Sequence, residues 1–420
     1  MRKLLLLLSV FLSFSLIAAA CGDDDSDDVS TDSGADDMDD GDDDGDMDDM
    51  SDDGDMADDD MDDMDDMSDD SDMDDMDDDG DMDDMDDMDM SEEPVSVGLV
   101  FDIGGEGDQS FNDSAAAGLA RAEDTFNITT SKVSPNDDGS NRAELLQLQA
   151  DSSDIVLAVG FLFERDAAAV GGANDDTHFA VIDSSMIDFN ADPPAPYADN
   201  IAGLVFSEEQ GSFLVGVAAA LTSETQTVGF IGGVCCFGLI EKFEAGFRAG
   251  ARHVNPDIEI ISQYITEFPD FDGFNAPDRG RETALAIFEA GADVIYHAAG
   301  GTGAGLFAAA KEHSEATGSK VWGIGVDSDQ YHTVGEDVRD YVLTSMLKRV
   351  DVAIFEIIKA HLEGTFSAGE TRYDLSVDGV GYSTSGDFLH PDYIASLEAL
   401  KGLIIDGTIV VPTDPTEVGG

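Results

Sequence analysis

The sequence predicts an α/β protein built on parallel sheets and divided into two lobes. Short apolar runs alternate with helical patterns of roughly ten to fifteen residues, the mark of βαβ units. These elements are too many for a single doubly wound sheet. The loops after the strand-like runs are rich in Gly and Asp. Such residues bring backbone amides and carboxylates to a ligand at the carboxyl edge of a sheet.

Two segments precede the body. Arg2 and Lys3 introduce an apolar run over 4–20 that ends in Ala18-Ala19-Ala20-Cys21-Gly22. A basic start, an apolar stretch and small residues before a cleavage point describe a secretory signal over 1–20. The run falls short of the roughly 20 residues that span a bilayer, and no basic residues follow it. No twin-Arg pair is present, so the general export route and a bacterial source are expected. Cys21 after the small residues resembles the lipid-bearing Cys of a bacterial lipobox. That resemblance implies lipidation at Cys21, with enough acyl chains for stable anchoring. Residues 21–93 are nearly all Asp, Met, Gly and Ser, and Gly22 to Glu93 hold 42 of the 94 acidic residues. Such a segment cannot bury a core and repels itself, so an expanded, disordered tether is expected. The Met-x-x-Met spacing through Met61, Met64 and Met67 suits Cu(I) thioether ligation in principle. Nothing there fixes a geometry, and the solvated tether is the reading retained.

The body runs over 94–420. Residues 95–101 read as a buried strand, and Asp113 or Ser114 can cap a helix through Ala116, Leu119 and Ala122. Strands are predicted at 155–159, 179–182, 228–231, 258–265, 294–296 and 322–326. Helices are predicted at 142–150, 207–221, 240–251, 278–290, 303–313 and 350–362. The three prolines within 192–200 mark a long loop before a lobe change near 201–205. The first lobe is expected at about 94–203 plus 350–368, the second at about 204–349 plus 369–420.

Charge and motif content exclude several functions. The formal net charge is −75, and the residues after Glu93 alone carry −35, from 17 basic and 52 acidic side chains. A nucleic-acid surface is therefore excluded. Three Cys exclude a disulfide-stapled mini-protein. The phosphate-loop, H-E-x-x-H and G-x-S-x-G patterns are absent, and the Gly300–Gly305 turn does not meet G-x-G-x-x-G. The seven His lack metal-ligand spacing, and His297 reads as a satisfied structural His. Cys235-Cys236 could form a vicinal disulfide but read as two buried thiols in a βα loop. No catalytic group, cofactor or metal is predicted.

The strand-end loops are 102–112, 160–163, 183–185, 268–277, 298–303 and 327–330. Asp108 through Ala115 with Gly118, the run Phe179-Ala180-Val181-Ile182-Asp183, and Gly229 to Gly233 with Phe243 to Phe247 carry a resemblance. So do Ala298 to Gly303, Gly325 to Gln330 and Thr344 to Asp351. Over these residues the chain resembles the basic membrane protein family of substrate-binding lipoproteins, which includes purine nucleoside receptors of ABC importers. The resemblance spans Val95 to Pro412. It implies the type I periplasmic binding-protein fold, two doubly wound α/β lobes joined by a three-crossover hinge. It further implies that Phe111 and Phe274 sandwich a base, and that Asp102, Ser110 and Asn112 belong to the first-lobe ligand loop. Gly301 is implied as a backbone contact, and Asp327 and Lys348 as ribose contacts near the hinge. Ala276-Pro277-Asp278-Arg279 and Cys235-Cys236 depart from the family's usual sequence, which bears on the preferred nucleoside.

The chemistry is coherent on its own terms. A flat base can stack between rings, and ribose hydroxyls can donate to carboxylates. The negative body disfavours nucleotides. The expected protein is a monomeric nucleoside receptor, lipid-anchored on the extracytoplasmic face and partnered by an ABC permease and ATPase. A binding protein for a sugar or signalling molecule, or a surface adhesion lipoprotein, are the alternatives.

Overall fold

A computed structural model describes residues 93–136 and 138–418. These fall within one compact unit, Asp86–Gly420. The expected signal, Cys21 and the Asp/Met run lie outside the described residues.

Two six-stranded sheets form the cores of two lobes. The first has the order Gly369–Tyr373, Ile201–Phe206, His178–Ile182, Ile155–Ala158, Val95–Val100, Ile128–Val133, all parallel. The second has the order Val380–Tyr382, Val342–Lys348, Trp322–Asp327, Val294–Ala298, Thr227–Cys235, Glu259–Glu267. It is parallel except for the first strand named. Ile155–Ala158 and Val294–Ala298 are buried at every position. Parallel strands covered by helices on both faces need such continuous apolar runs rather than alternation.

The chain passes between lobes three times: from Phe206 to the helix Glu208–Thr222, from Lys348 to Val350–Leu362, and from Tyr373 to Val380. The fold is the two-lobed, three-crossover arrangement expected. The lobe boundaries need correction. The strand Ile201–Phe206 stays in the first sheet to its end, and Gly369–Tyr373, expected in the second lobe, pairs beside it. Three of the five residues of Gly369–Tyr373 are exposed at the sheet edge, so no apolar run announces it. The strand Ile128–Val133 escaped prediction similarly, being buried only at Ile128. Val342–Lys348 was hidden by Thr344, Ser345 and Lys348, polar residues that are nonetheless buried.

The helices Glu208–Thr222 and Ile240–Val254 pack unusually close. A Cβ at Gly246 would meet the carbonyl oxygen of Glu209, and one at Gly250 that of Phe213. Cys235 and Cys236 are not buried thiols. They are joined as a vicinal disulfide, and Cys236 is exposed. Cys235 ends its strand and Cys236 takes a φ of 76°, so the chain turns outward there.

Candidate functional site

The carboxyl ends of the strands in both sheets converge on one cavity. The first lobe lines it with Asp102, Ile103, Asp108, Phe111, Asn112, Phe161 and Asp183. The second contributes Leu239, Ile240, Phe243, Phe274, the turn 298–301, Val326, Asp327 and Lys348. This is where an open α/β sheet presents its ligand site.

Phe111 opens the helix Phe111–Thr125, and Phe274 closes the short turn Phe271–Phe274 in the opposite lobe. Gly233 makes room for the second ring, since a Cβ there would strike Phe274. Gly301 lies in the lining, with Asp108 of the other lobe close by. Asn112 lines the cavity, but its amide is occupied by the protein. Its Oδ1 accepts from Asp102 N at 2.9 Å, and its Nδ2 donates to Ile103 O at 3.2 Å and Asp108 Oδ2 at 3.0 Å. It fixes the Asp102 loop. Ser110 is fully buried outside the lining and donates to Asp327 Oδ2 at 2.6 Å. It therefore supports Asp327 instead of facing the cavity.

The charged groups form a tight set. Lys348 Nζ donates to Asp183 Oδ2 at 2.6 Å and lies 3.7 Å from Glu208 Oε1. It also sits 4.8 Å from the Phe111 ring centroid, a cation–π contact that orients the ring. Burial alone lowers the Lys348 pKa, but Asp183, Glu208 and Asp327 raise it above its ordinary value, keeping the ammonium charged. Burial pushes Asp102 up to about 6, against a backbone hydrogen bond from Ile103 and the charge of Arg142. Burial likewise pushes Asp327 up to about 7, although Lys348 and Ser110 oppose it. Oδ1 of Asp102 and Oδ1 of Asp183 are buried without a hydrogen-bond partner among the described residues. Unpaired buried acceptors are costly; the Asp102 oxygen is offset by the Arg142 guanidinium at 3.7 Å. Among the described residues no cluster of three or more His, Cys, Asp or Glu is arranged to hold a metal.

Sequence reading gave no role to Asp183, although its place directly after a strand singled out its loop. Phe161 and Phe243 were also missed. Phe243 falls on the buried stripe of a helix, where an aromatic reads as core. Phe161 stacks on Phe237 of the second lobe at 4.9 Å between centroids, with Phe271 at 5.9 Å. The lobes therefore also meet through aromatic rings at the cavity.

The Bmp family model, described as ABC transporter substrate-binding protein PnrA-like, matches residues 95–415. The chain belongs to this family. Bmp proteins are substrate-binding proteins and not enzymes, so this chain is an ABC transporter substrate-binding protein that works outside the cytoplasm. It is 35% identical over 343 residues to the CD4+ T-cell-stimulating antigen of Listeria innocua, covering 78% of this chain and 90% of that one. It is 30% identical over 327 residues to the ABC transporter nucleoside-binding protein BmpA of Lactococcus lactis, covering 75% and 88%. An ABC transporter solute-binding protein of Aeropyrum pernix superposes with a TM-score of 0.64 at 27% identity, covering 77% of this chain and 95% of that one. Among the described residues no helix is long and apolar enough to cross a membrane.

Proposed function

We propose that this Bmp protein is the nucleoside receptor of an ABC importer, tethered by lipid at Cys21 and delivering nucleosides to a permease and its ATPase. The observation that carries the reading is the pairing, in one cavity, of Phe111 and Phe274 with the carboxylates of Asp102 and Asp183, each of which has an oxygen without a hydrogen bond among the described residues. Rings from opposite lobes suit a flat base, and stacking contributes roughly 1–3 kcal/mol per ring. The carboxylates suit hydroxyl and amino donors. Lys348 holds Asp183 in position, and the ribose bonds to Asp183 and Asp327. Apart from Lys348 the charged groups of the lining are acidic, so a phosphorylated ligand is repelled. The nucleoside-binding relative of Lactococcus lactis supports the same reading.

Calorimetry with adenosine, adenine and ribose tests it, alongside mass spectrometry of any solute that co-purifies. Adenosine should bind at least a hundredfold more tightly than either half, because each half leaves buried groups unpaired. Ribose or glucose binding as tightly as adenosine would reject the nucleoside assignment.

A further inference from the structure

The lobes are also held together beside the cavity, by groups outside its lining. The loop after Trp322–Asp327 donates three side-chain hydrogen bonds to main-chain carbonyls of the first lobe. Ser328 Oγ reaches Ser110 O at 2.9 Å, and Gln330 Nε2 and Thr333 Oγ1 each reach Gln109 O at 3.0 Å. Immediately below, Ser110 Oγ donates to Asp327 Oδ2. The segment they grip begins the helix that carries Phe111, and the gripping loop begins at Asp327. Both ends are held in backbone conformations unfavourable to non-glycine residues, with φ of 58° at Gln109 and 62° at Asp327.

Gln330 is set in one orientation. Its backbone N–H donates to Ser345 Oγ at 3.0 Å. Its Oε1 accepts from Val326 N at 3.0 Å and from His297 Nε2 at 2.8 Å. With Oε1 taken twice, the amide can present only its NH2 group to the other lobe. His297 is fully buried in the second lobe, and burial brings its pKa down to about 4, so the ring is neutral at physiological pH. It therefore fixes the amide without adding a charge.

We propose that Ser328, Gln330 and Thr333 form a closure latch: positioning residues that lock the Phe111 helix start against the Asp327 loop and set how long a ligand is retained, without touching it. This rests on the cavity being the nucleoside site. Parting the lobes would break these contacts, so they govern dissociation more than association.

The test is the double variant Ser328→Ala/Thr333→Val in the full chain. Thr333 is exposed and Ser328 half-buried, so both changes spare the core, and thermal melting checks the fold. Stopped-flow binding of adenosine should show dissociation about tenfold to thirtyfold faster, the worth of two ordinary hydrogen bonds, with association within about twofold of the parent. The hydroxyl-retaining variant Ser328→Thr/Thr333→Ser should restore slow dissociation. Spin labels on non-natural side chains at positions 124 and 289, one in each lobe, should report a smaller closed fraction for the Ala/Val variant in protein as isolated. Unchanged dissociation with an unchanged closed fraction overturns the latch. So does a loss that falls equally on association and is not rescued by the hydroxyls. If adenosine fails to bind the parent protein, the nucleoside reading falls, and the closed fraction still decides the latch.

Discussion

Phe111 and Phe274 stand one at a helix start and the other at the end of a short turn, both in the lining of one cavity. Phe111→Ala and Phe274→Ala are each expected to weaken nucleoside binding by roughly 1–3 kcal/mol. Melting temperatures should move little, since neither ring is fully buried. Calorimetry on both variants decides it, and unchanged affinity in both would refute stacking. The carboxylates give a second prediction. Asp102 and Asp327 have folded-state pKa values of about 6 and about 7, above the ordinary 3.8. Raised acids contribute stability that is complete below the unfolded value and is lost as pH rises through the folded one. The ligand-free protein should therefore lose stability between about pH 4 and 7 from these groups. A ligand that donates hydrogen bonds to the ionised forms reverses the preference. Nucleoside affinity should thus rise from pH 5 to 8, with proton release on binding near pH 6.5. Calorimetry in two buffers of different ionisation enthalpy measures that release, and proton uptake would contradict it. The loops that carry these residues stood out in the sequence because strand ends collect ligand groups, and the family resemblance supplied the individual roles. Ser110 and Asn112 show the limit of such reading. A motif places a side chain near a site, but only the hydrogen-bond geometry tells that Asn112 holds a loop and Ser110 holds Asp327.

Among the elements, the pair Glu208–Thr222 and Ile240–Val254 shows how a lobe is built on close backbone approach. Gly250 lies against the carbonyl of Phe213, a main-chain atom that cannot rotate away. Gly250→Ala should cost about 1–3 kcal/mol by overpacking, although alanine is the better helix former. A melting temperature equal to or above the parent would show that the helices can separate without loss. The buried strands were readable because parallel strands covered on both faces are uninterrupted apolar runs. Edge strands were not. Ile128–Val133 exposes half of its side chains and Gly369–Tyr373 three of five, and only pairing with a neighbour makes them strands. The boundary placed at 368–369 fails for that reason, because the unseen edge strand Gly369–Tyr373 keeps the chain in the first lobe until the last crossover. Val342–Lys348 fails for the opposite reason. Its polar residues are there for the hinge, where Thr344 donates to Ser383 O and Lys348 meets Asp183.

At the scale of the whole molecule the dominant quantity is charge. The residues after Glu93 carry a formal −35, with 17 basic side chains to set against 52 acidic ones. Several basic groups are already committed to carboxylates: Lys132 to Glu106, Arg281 to Glu312, Lys311 to Asp337, Lys401 to Asp378. Such surface pairs contribute little individually. Most acidic side chains therefore face one another across the surface with no cation between. That self-repulsion opposes the compact state and is felt over the Debye length, about 30 Å at 0.01 M salt and 3 Å at 1 M. The lobes feel it most when they close, because Asp102, Asp108, Asp183 and Asp327 then share one cavity with a single lysine in its lining. Salt should screen the surface repulsion but leave the buried Lys348–Asp183 pair nearly untouched. A chain beginning at Pro94, freed of the acidic tether, is expected to melt at a higher temperature as NaCl rises from about 0.01 to 1 M, as for a protein adapted to a saline habitat. Calorimetric scans without ligand make the measurement. A flat or falling melting temperature across that range would mean that the acidic surface serves solubility alone and that the fold is indifferent to ionic strength.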